Sequence, residues 1–183
     1  MTRRAAWTGI ACAAMALTLA PLIASPAPML LWNATASTPV GLYRLLPLGV
    51  LHDGELVAAM PPEPIASFLA RGGFLPRRAL LLKHVAALAG QTVCRTGNIV
   101  TIDGKAAGVA LDRDHLDRPL PRWSGCRTLA RGEVFLMNRA VPDSLDGRYF
   151  GPFPAASIIG QAVPVRIEHG HDAAVRRRVP VRR

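Results

Sequence analysis

Asn33-Ala34-Thr35-Ala36-Ser37-Thr38-Pro39-Val40-Gly41-Leu42-Tyr43 sets a small, unhindered hydroxyl at Ser37 in a run where Pro39 and Gly41 force an abrupt change of chain direction. A serine placed there is displayed rather than packed, although a plain Ser/Thr/Pro linker has the same look. The weight shifts with a second stretch, Ala79-Leu80-Leu81-Leu82-Lys83-His84-Val85, which sets one lysine inside an apolar, strand-like run. With a period of two, Leu81, Lys83 and Val85 share one face and Leu82 and His84 the other, so the amine emerges among aliphatic neighbours. Burial disfavours the ammonium and lowers its pKa, which is what a lysine needs to act as a base near neutral pH. A lysine snorkelling from a strand end is the structural alternative.

Serine with a lysine base is a variant of nucleophilic catalysis, and the flanking residues match a family. Ser37-Thr38-Pro39-Val40-Gly41-Leu42-Tyr43 resembles the nucleophile box of bacterial type I signal peptidases, in the form of the conjugative-transfer branch usually called TraF. Lys83-His84-Val85-Ala86-Ala87-Leu88-Ala89-Gly90 is similar to that family's lysine box, and Ser144-Leu145-Asp146-Gly147-Arg148-Tyr149-Phe150-Gly151 to its last box. The boxes stand in the family's order over residues 33–165.

The resemblance implies a mainly β, signal-peptidase-like and repressor-peptidase-like domain of antiparallel sheets behind one N-terminal transmembrane helix. It implies Ser37 as nucleophile and Lys83 as general base, with the Ser37 backbone N–H and the Thr35 hydroxyl as oxyanion donors. Ser144 matches the serine that aims the lysine amine, and Asp146 with Arg148 a pair that braces the site. No cofactor and no metal are implied. Thr38 stands where general signal peptidases have methionine, Ala89 and Gln91 replace a proline and an aspartate, and Gly147 replaces a serine. None of these removes a catalytic group, and with Cys94 and Cys126 they favour the transfer branch.

The 183 residues suit one domain plus an appendage. A net charge of +10 is far from balanced, and six arginines fall within 166–183 against Glu168 and Asp172. Such a tail suits nucleic acid or anionic lipid. Lipid is preferred, because residues 5–24 carry no charge and reach, as a helix, about 30 Å, the thickness of a bilayer's hydrocarbon core. Arg3 and Arg4 precede the run, so the positive-inside rule keeps residues 1–4 in the cytoplasm and sends everything after Ser25 out. A cleaved signal peptide competes with this, given Ala24, Ser25 and Ala27; Pro21, Pro26 and Pro28 spoil most cleavage registers and favour an uncleaved anchor. The organisation expected is a cytoplasmic segment 1–4, an anchor 5–24, an extracytoplasmic peptidase domain 25–167 and a basic tail 168–183. In a bacterium this is a single-pass inner-membrane protein with its catalytic domain in the periplasm.

Cys12 reads as a small apolar residue within the run. Cys94 and Cys126 remain as a pair that, in an oxidising periplasm, would close a loop of about 33 residues and add about 3 to 4 kcal/mol. Zinc lacks ligands at both cysteines, and His169-Gly170-His171 has no carboxylate or thiol company.

Strands are expected at 41–46, 55–60, 78–85, 133–137 and 158–167, with a short helix over 65–71 ended by Gly72-Gly73. Ile99-Val100-Thr101-Ile102 followed by Asp103-Gly104 signals a hairpin with a type I′ turn, returning over 105–110. Residues 112–123 read as a solvated, proline-broken loop. A Ser-His-Asp triad of Ser37, His84 and Asp146 exists on paper, but His84 belongs on the face opposite Lys83.

By resemblance the substrate is a membrane-delivered preprotein cut after small residues, of the pilin-precursor kind in the transfer branch. Its acyl-enzyme is resolved by water or by the substrate's own amine. Membrane phospholipid and other transfer-apparatus proteins are the further partners. Two other readings stand beside it: a self-cleaving repressor-type peptidase, against which the apolar anchor argues, and a basic nucleic-acid-binding or assembly protein, whose arginines lack interleaved aromatics.

Overall fold

A computed structural model describes residues 3–23 and 30–168. In chain order the elements are α1 (Arg3–Ile23), β1 (Leu30–Asn33), β2 (Gly41–Leu46), β3 (Leu56–Ala59), α2 (Glu63–Arg71) and β4 (Leu81–Ala87). There follow β5 (Thr92–Thr96), β6 (Ile99–Ile102), β7 (Lys105–Val109), β8 (Gly125–Thr128), β9 (Glu133–Leu136), α3 (Gly147–Phe150), β10 (Phe153–Pro154) and β11 (Ile158–Ile167). Seven strands make one sheet in the order β1-β2-β11-β3-β4-β9-β10, and four make a second in the order β7-β6-β5-β8. Every named pair is antiparallel.

β4 lies inside the larger sheet and is buried along its length except at His84. Its alternation is the expected one. Leu81 and Val85 join Val57, Leu136 and Phe153 in a core capped by Leu69 of α2, while Leu82 joins Tyr43, Leu45 and Ala162 on the other face. A third cluster binds the two sheets, with Ala86, Ala87 and Phe135 of the larger sheet meeting Val93, Val100 and Ile102 of the smaller. Lys83 is carried on the strand that contributes side chains to all three clusters.

Most turn chemistry falls where the sequence puts it. Asp103 and Gly104 both take positive φ (49° and 76°), as a type I′ hairpin requires. α2 ends with Gly73 at φ 67°, where the Gly73 N–H reaches Ala70 O and the Phe74 N–H reaches Leu69 O, satisfying two otherwise unpaired carbonyls. The lysine strand starts later than the expected residue 78, because a turn closed by the Ala79 N–H and Pro76 O takes up Arg78. Besides β5, which opens the hairpin region, four elements have no counterpart in the expected set: β1, the wholly exposed β8, α3, a single turn capped by Asp146, and the two-residue β10. Gly-Cys-Arg-Thr in β8 has no apolar alternation to reveal it.

The N-terminal run forms α1, with Trp7, Ile10, Met15 and Leu17 exposed. Among the described residues no helix is long and apolar enough to cross a membrane. The small residues considered for signal-peptide cleavage and the tail with its His169-Gly170-His171 lie outside the described residues, save Glu168.

Cys94 and Cys126 face each other across β5 and β8 and are joined. The pairing follows from register: both strands hydrogen-bond along Thr92–Arg95 against Gly125–Thr128. Peptide mapping of the oxidised chain without reductant should recover the Cys94–Cys126 crosslink. Cys126→Ser should lower the free energy of unfolding by about 3 to 4 kcal/mol in denaturant titrations; an unchanged midpoint would show that the bond does not restrict the unfolded chain.

Candidate active site

The β1–β2 connection is a loop wound around one side chain. Asn33 ends β1, and its Nδ2 donates to Thr35 O (2.9 Å), Thr38 O (2.9 Å) and Pro39 O (3.1 Å). Its Oδ1 accepts from the Thr35 N–H (3.2 Å) and the Thr35 hydroxyl (2.8 Å). Tyr43 Oη closes the far side by donating to Pro39 O at 2.7 Å. Gly41 is needed where the loop re-enters the sheet, since a Cβ there would sit 2.1 Å from Arg166 O. The result holds Ser37 half-buried at the tip, displayed as the sequence implies.

Ser37 Oγ lies 3.3 Å from Thr35 Oγ1. A hydroxyl has one proton, and that of Thr35 goes to Asn33 Oδ1, so Ser37 is the donor in this contact. To donate to an oxyanion, Thr35 must turn its proton away from Asn33. Ser37 and Lys83 are not hydrogen-bonded to each other among the described residues. Ser37 lines a cavity of about 180 Å³ together with Thr35, Ala36, Leu69, Leu75, Leu81 and Ser144; Lys83 does not line it and is linked to it through Ser144.

Lys83 is 2% exposed, and its Nζ donates to Ser144 Oγ at 2.7 Å. Burial pushes the ammonium from its ordinary 10.5 down to about 8; the Asp146 carboxylate draws it back up, the Arg148 guanidinium pushes it down, and Asp143 draws it up. Among the described residues no carboxylate hydrogen-bonds the amine, and Asp146 is committed elsewhere. Its two oxygens meet Arg148 Nε (3.0 Å) and NH2 (2.9 Å), with both side chains at most 1% exposed, and it also accepts the N–H groups of Asn138 and Arg148. The remaining guanidinium protons reach Pro142 O, Val141 O and Ser144 O, which fixes the loop that presents Ser144.

The on-paper triad is not assembled. His84 is exposed, its Nδ1 lies 3.0 Å from Asn138 Oδ1, and Asp146 bonds Arg148.

Three structural residues had no role in the sequence reading. Asn138 is 3% exposed and ties the serine loop to the lysine strand, donating from Nδ2 to Ser37 O (2.6 Å), Thr38 Oγ1 (3.1 Å) and Leu82 O (3.1 Å). Its only sequence signal is an amide closing the apolar run Val134-Phe135-Leu136-Met137. Arg95 is 1% exposed without a carboxylate partner, and donates to Arg148 O at 2.6 Å. Asn33 stands in the opening stretch, but the sequence alone assigns it no structural role.

A model of the family described as signal peptidase, peptidase S26, matches residues 2–166. The chain is 36% identical over 148 residues to the probable conjugal transfer protein TraF of Sinorhizobium fredii, covering 73% of this chain and 74% of that one. It is 36% identical over 143 residues to a plasmid transfer protein TraF of Escherichia coli, covering 73% and 80%. The chain belongs to the signal peptidase family, in its TraF branch. A solved signal peptidase I from Enterococcus faecalis is 20% identical with a TM-score of 0.38, covering 62% of this chain and 97% of that one, a likeness too loose to add to the sequence match.

Within the signal peptidase family, the departures of this chain have local causes. Thr38 is buried, donates to Leu82 O at 3.1 Å and accepts from Asn138, two contacts that a methionine could not make. Gly147 has no room for a serine: a Cβ would come within 2.7 Å of the Phe135 ring and 2.9 Å of Leu136 O. Gln91 is taken up in the turn after β4, bonding the Leu88 N–H and Asp103.

The buried amine has a thermodynamic signature. Folding lowers the Lys83 pKa, so its ammonium opposes folding in full below about pH 8, and the penalty fades as pH rises toward 10.5. At about 1.4 kcal/mol per pH unit the full penalty is about 3 kcal/mol. Lys83→Met should therefore be more stable relative to the parent at pH 7 than at pH 10, by about 2 kcal/mol in paired denaturant titrations. A pH-independent difference would mean that the amine is solvated.

Proposed function

We propose that this chain is a membrane-anchored serine endopeptidase that removes leader peptides from exported preproteins of the pilin-precursor kind, using Ser37 as nucleophile and Lys83 as base. The observation that carries the reading is a fully buried lysine amine, tilted toward its neutral form, held 2.7 Å from Ser144 at the wall of the cavity that Ser37 lines. Family membership brings a peptidase-like role, and the TraF relatives are named for conjugal and plasmid transfer.

In the reaction, Ser37 Oγ attacks the scissile carbonyl carbon and its proton passes to the neutral Nζ of Lys83. The carbonyl oxygen becomes an oxyanion, facing the Ser37 N–H and, once turned from Asn33, the Thr35 hydroxyl. Collapse of this intermediate breaks the C–N bond, the Lys83 ammonium returns the proton to the leaving amine, and an ester remains on Ser37. Water, deprotonated by Lys83, then attacks the ester carbonyl, and the Lys83 ammonium returns that proton to Ser37 Oγ as the C–O bond breaks. Ser144 aims the amine, while Asp146 and Arg148 hold the Ser144 loop and cancel each other's charge. A small apolar cavity next to the nucleophile suits a small side chain before the bond cut.

The anchor in this reading is the segment 5–24, supported by its uncharged run and by Arg3 and Arg4 ahead of it. The domain from 25 to 167 then works in the periplasm close to the bilayer, with the basic tail 168–183 on anionic phospholipid. The Cys94–Cys126 bond fits that oxidising compartment.

Ser37→Ala and Lys83→Ala should each abolish cleavage of a co-expressed pilin-type precursor while the protein still accumulates. Lys83→Arg should be equally dead, because a guanidinium keeps its proton. Thr35→Ala should lose on the order of a hundredfold, and His84→Ala should retain most activity. Full activity in Lys83→Arg would end the dyad reading.

Because the base must be neutral, kcat/KM for the purified chain should climb about tenfold per pH unit and level off near pH 8. A profile already flat at pH 6 would place the titrating group elsewhere.

A further inference from the structure

The cavity beside Ser37 does not end at Ser144. A larger one of about 400 Å³ adjoins it, and the two share three wall residues, Phe74, Asp143 and Leu145. The second cavity runs out under the loop after β7, between Leu111, His115 and Leu120. Its walls are thus mostly apolar, with charge at a few points.

Those charges are not equally free. Arg113 is held by Asp117, through its carboxylate at 3.5 Å and its carbonyl at 2.7 Å. Asp114 is held by Arg118 at 2.6 Å, and the same guanidinium lies 4.4 Å over the Phe74 ring, which pins that shared wall. Asp143 differs: it is exposed and makes no hydrogen bond or ion pair among the described residues. It is a carboxylate in the wall that the two cavities share.

We propose that the second cavity is a binding site for a further stretch of the substrate polypeptide, and that Asp143 selects a lysine or arginine side chain there. The inference rests on the peptidase reading of the first cavity and adds a substrate preference to it. An extended peptide whose cleaved bond lies at Ser37 would pass Ser144 and meet Asp143 next, then the apolar walls beyond. A cationic side chain keeps its stem against Phe74 and Leu145 and brings its head to the carboxylate. A glutamate at the same position would face Asp143 without a compensating cation, since Arg113 and Arg118 are already engaged.

Asp143 also draws the Lys83 pKa upward, so activity alone would not separate substrate selection from an effect on the base. Binding does. The full chain carrying Ser37→Ala, in neutral detergent, is titrated with fluorescein-labelled peptides that have alanine at the cut bond. Each peptide places lysine, norleucine or glutamate at one position in turn on either side of that bond, and anisotropy gives Kd. At one or two adjacent positions lysine should bind about tenfold tighter than norleucine, and the gain should shrink as salt rises. Adding Asp143→Asn should bring lysine and norleucine within about twofold, and Asp143→Lys should shift the preference to glutamate. A lysine preference that survives both substitutions, or lysine no better than norleucine at every position, overturns the proposal. Failure of the peptidase reading is a separate result, seen as the parent chain leaving the alanine peptides uncut while the binding pattern is intact.

Discussion

Asp146 and Arg148 neutralise each other at full burial, and the candidate site depends on that cancellation. Removing either partner would leave an uncompensated buried charge beside Lys83, a loss of about 3 to 5 kcal/mol in comparable cases. With both present, the strongest influence left on the lysine is its own desolvation. A lone aspartate would draw the amine's pKa up, and a lone arginine would push it further down. The pair also does mechanical service, because the guanidinium's remaining donors collect three carbonyls from the segment that presents Ser144. Charge balance and the aim of the amine are therefore set by one side chain.

The same economy recurs at two amides. Asn33 gathers the carbonyls of the serine loop, and Asn138 fastens that loop to β4. Irregular backbone at a buried site leaves N–H and C=O groups that no ladder can satisfy. Here side chains with fixed, multiple donors take them up, which is why a loop without regular structure holds a defined shape. Lys83 itself rides on a central strand, where hydrogen bonds to β3 and β9 leave it little freedom.

Much of this was legible in the residues. β2 and β11 begin and end where period and turn signals put them, and the hairpin at Asp103-Gly104 has the φ values its turn residues demand. Lys83 stood out because a lysine among aliphatics at strand spacing has few explanations, and Ser144, Asp146 and Arg148 through resemblance to a known box. Arg95 and Asn138 did not stand out, since an arginine beside a cysteine or an asparagine after a strand is common in exposed turns. Their burial follows from how the two sheets meet, which no local pattern encodes. The proton of Thr35, committed to Asn33, is likewise a property of the folded loop alone. The expected strand start at residue 78 shifted because a proline turn, readable at Pro76, outranked the apolar run behind it.

The contacts that assemble the site join residues far apart in the chain: Lys83 and Ser144 are separated by 61 positions, and Ser37 and Asn138 by 101. Contacts of that span give nothing back until the loops between them have closed, so they form late in folding. A nascent or partly paired chain would hold a solvated, protonated lysine and a serine with no base. The lowered pKa of the amine would then appear only in the final cooperative step, when the sheet closes over Lys83. Under the proposed chemistry, the unfinished chain would be inert until its last long-range contacts close.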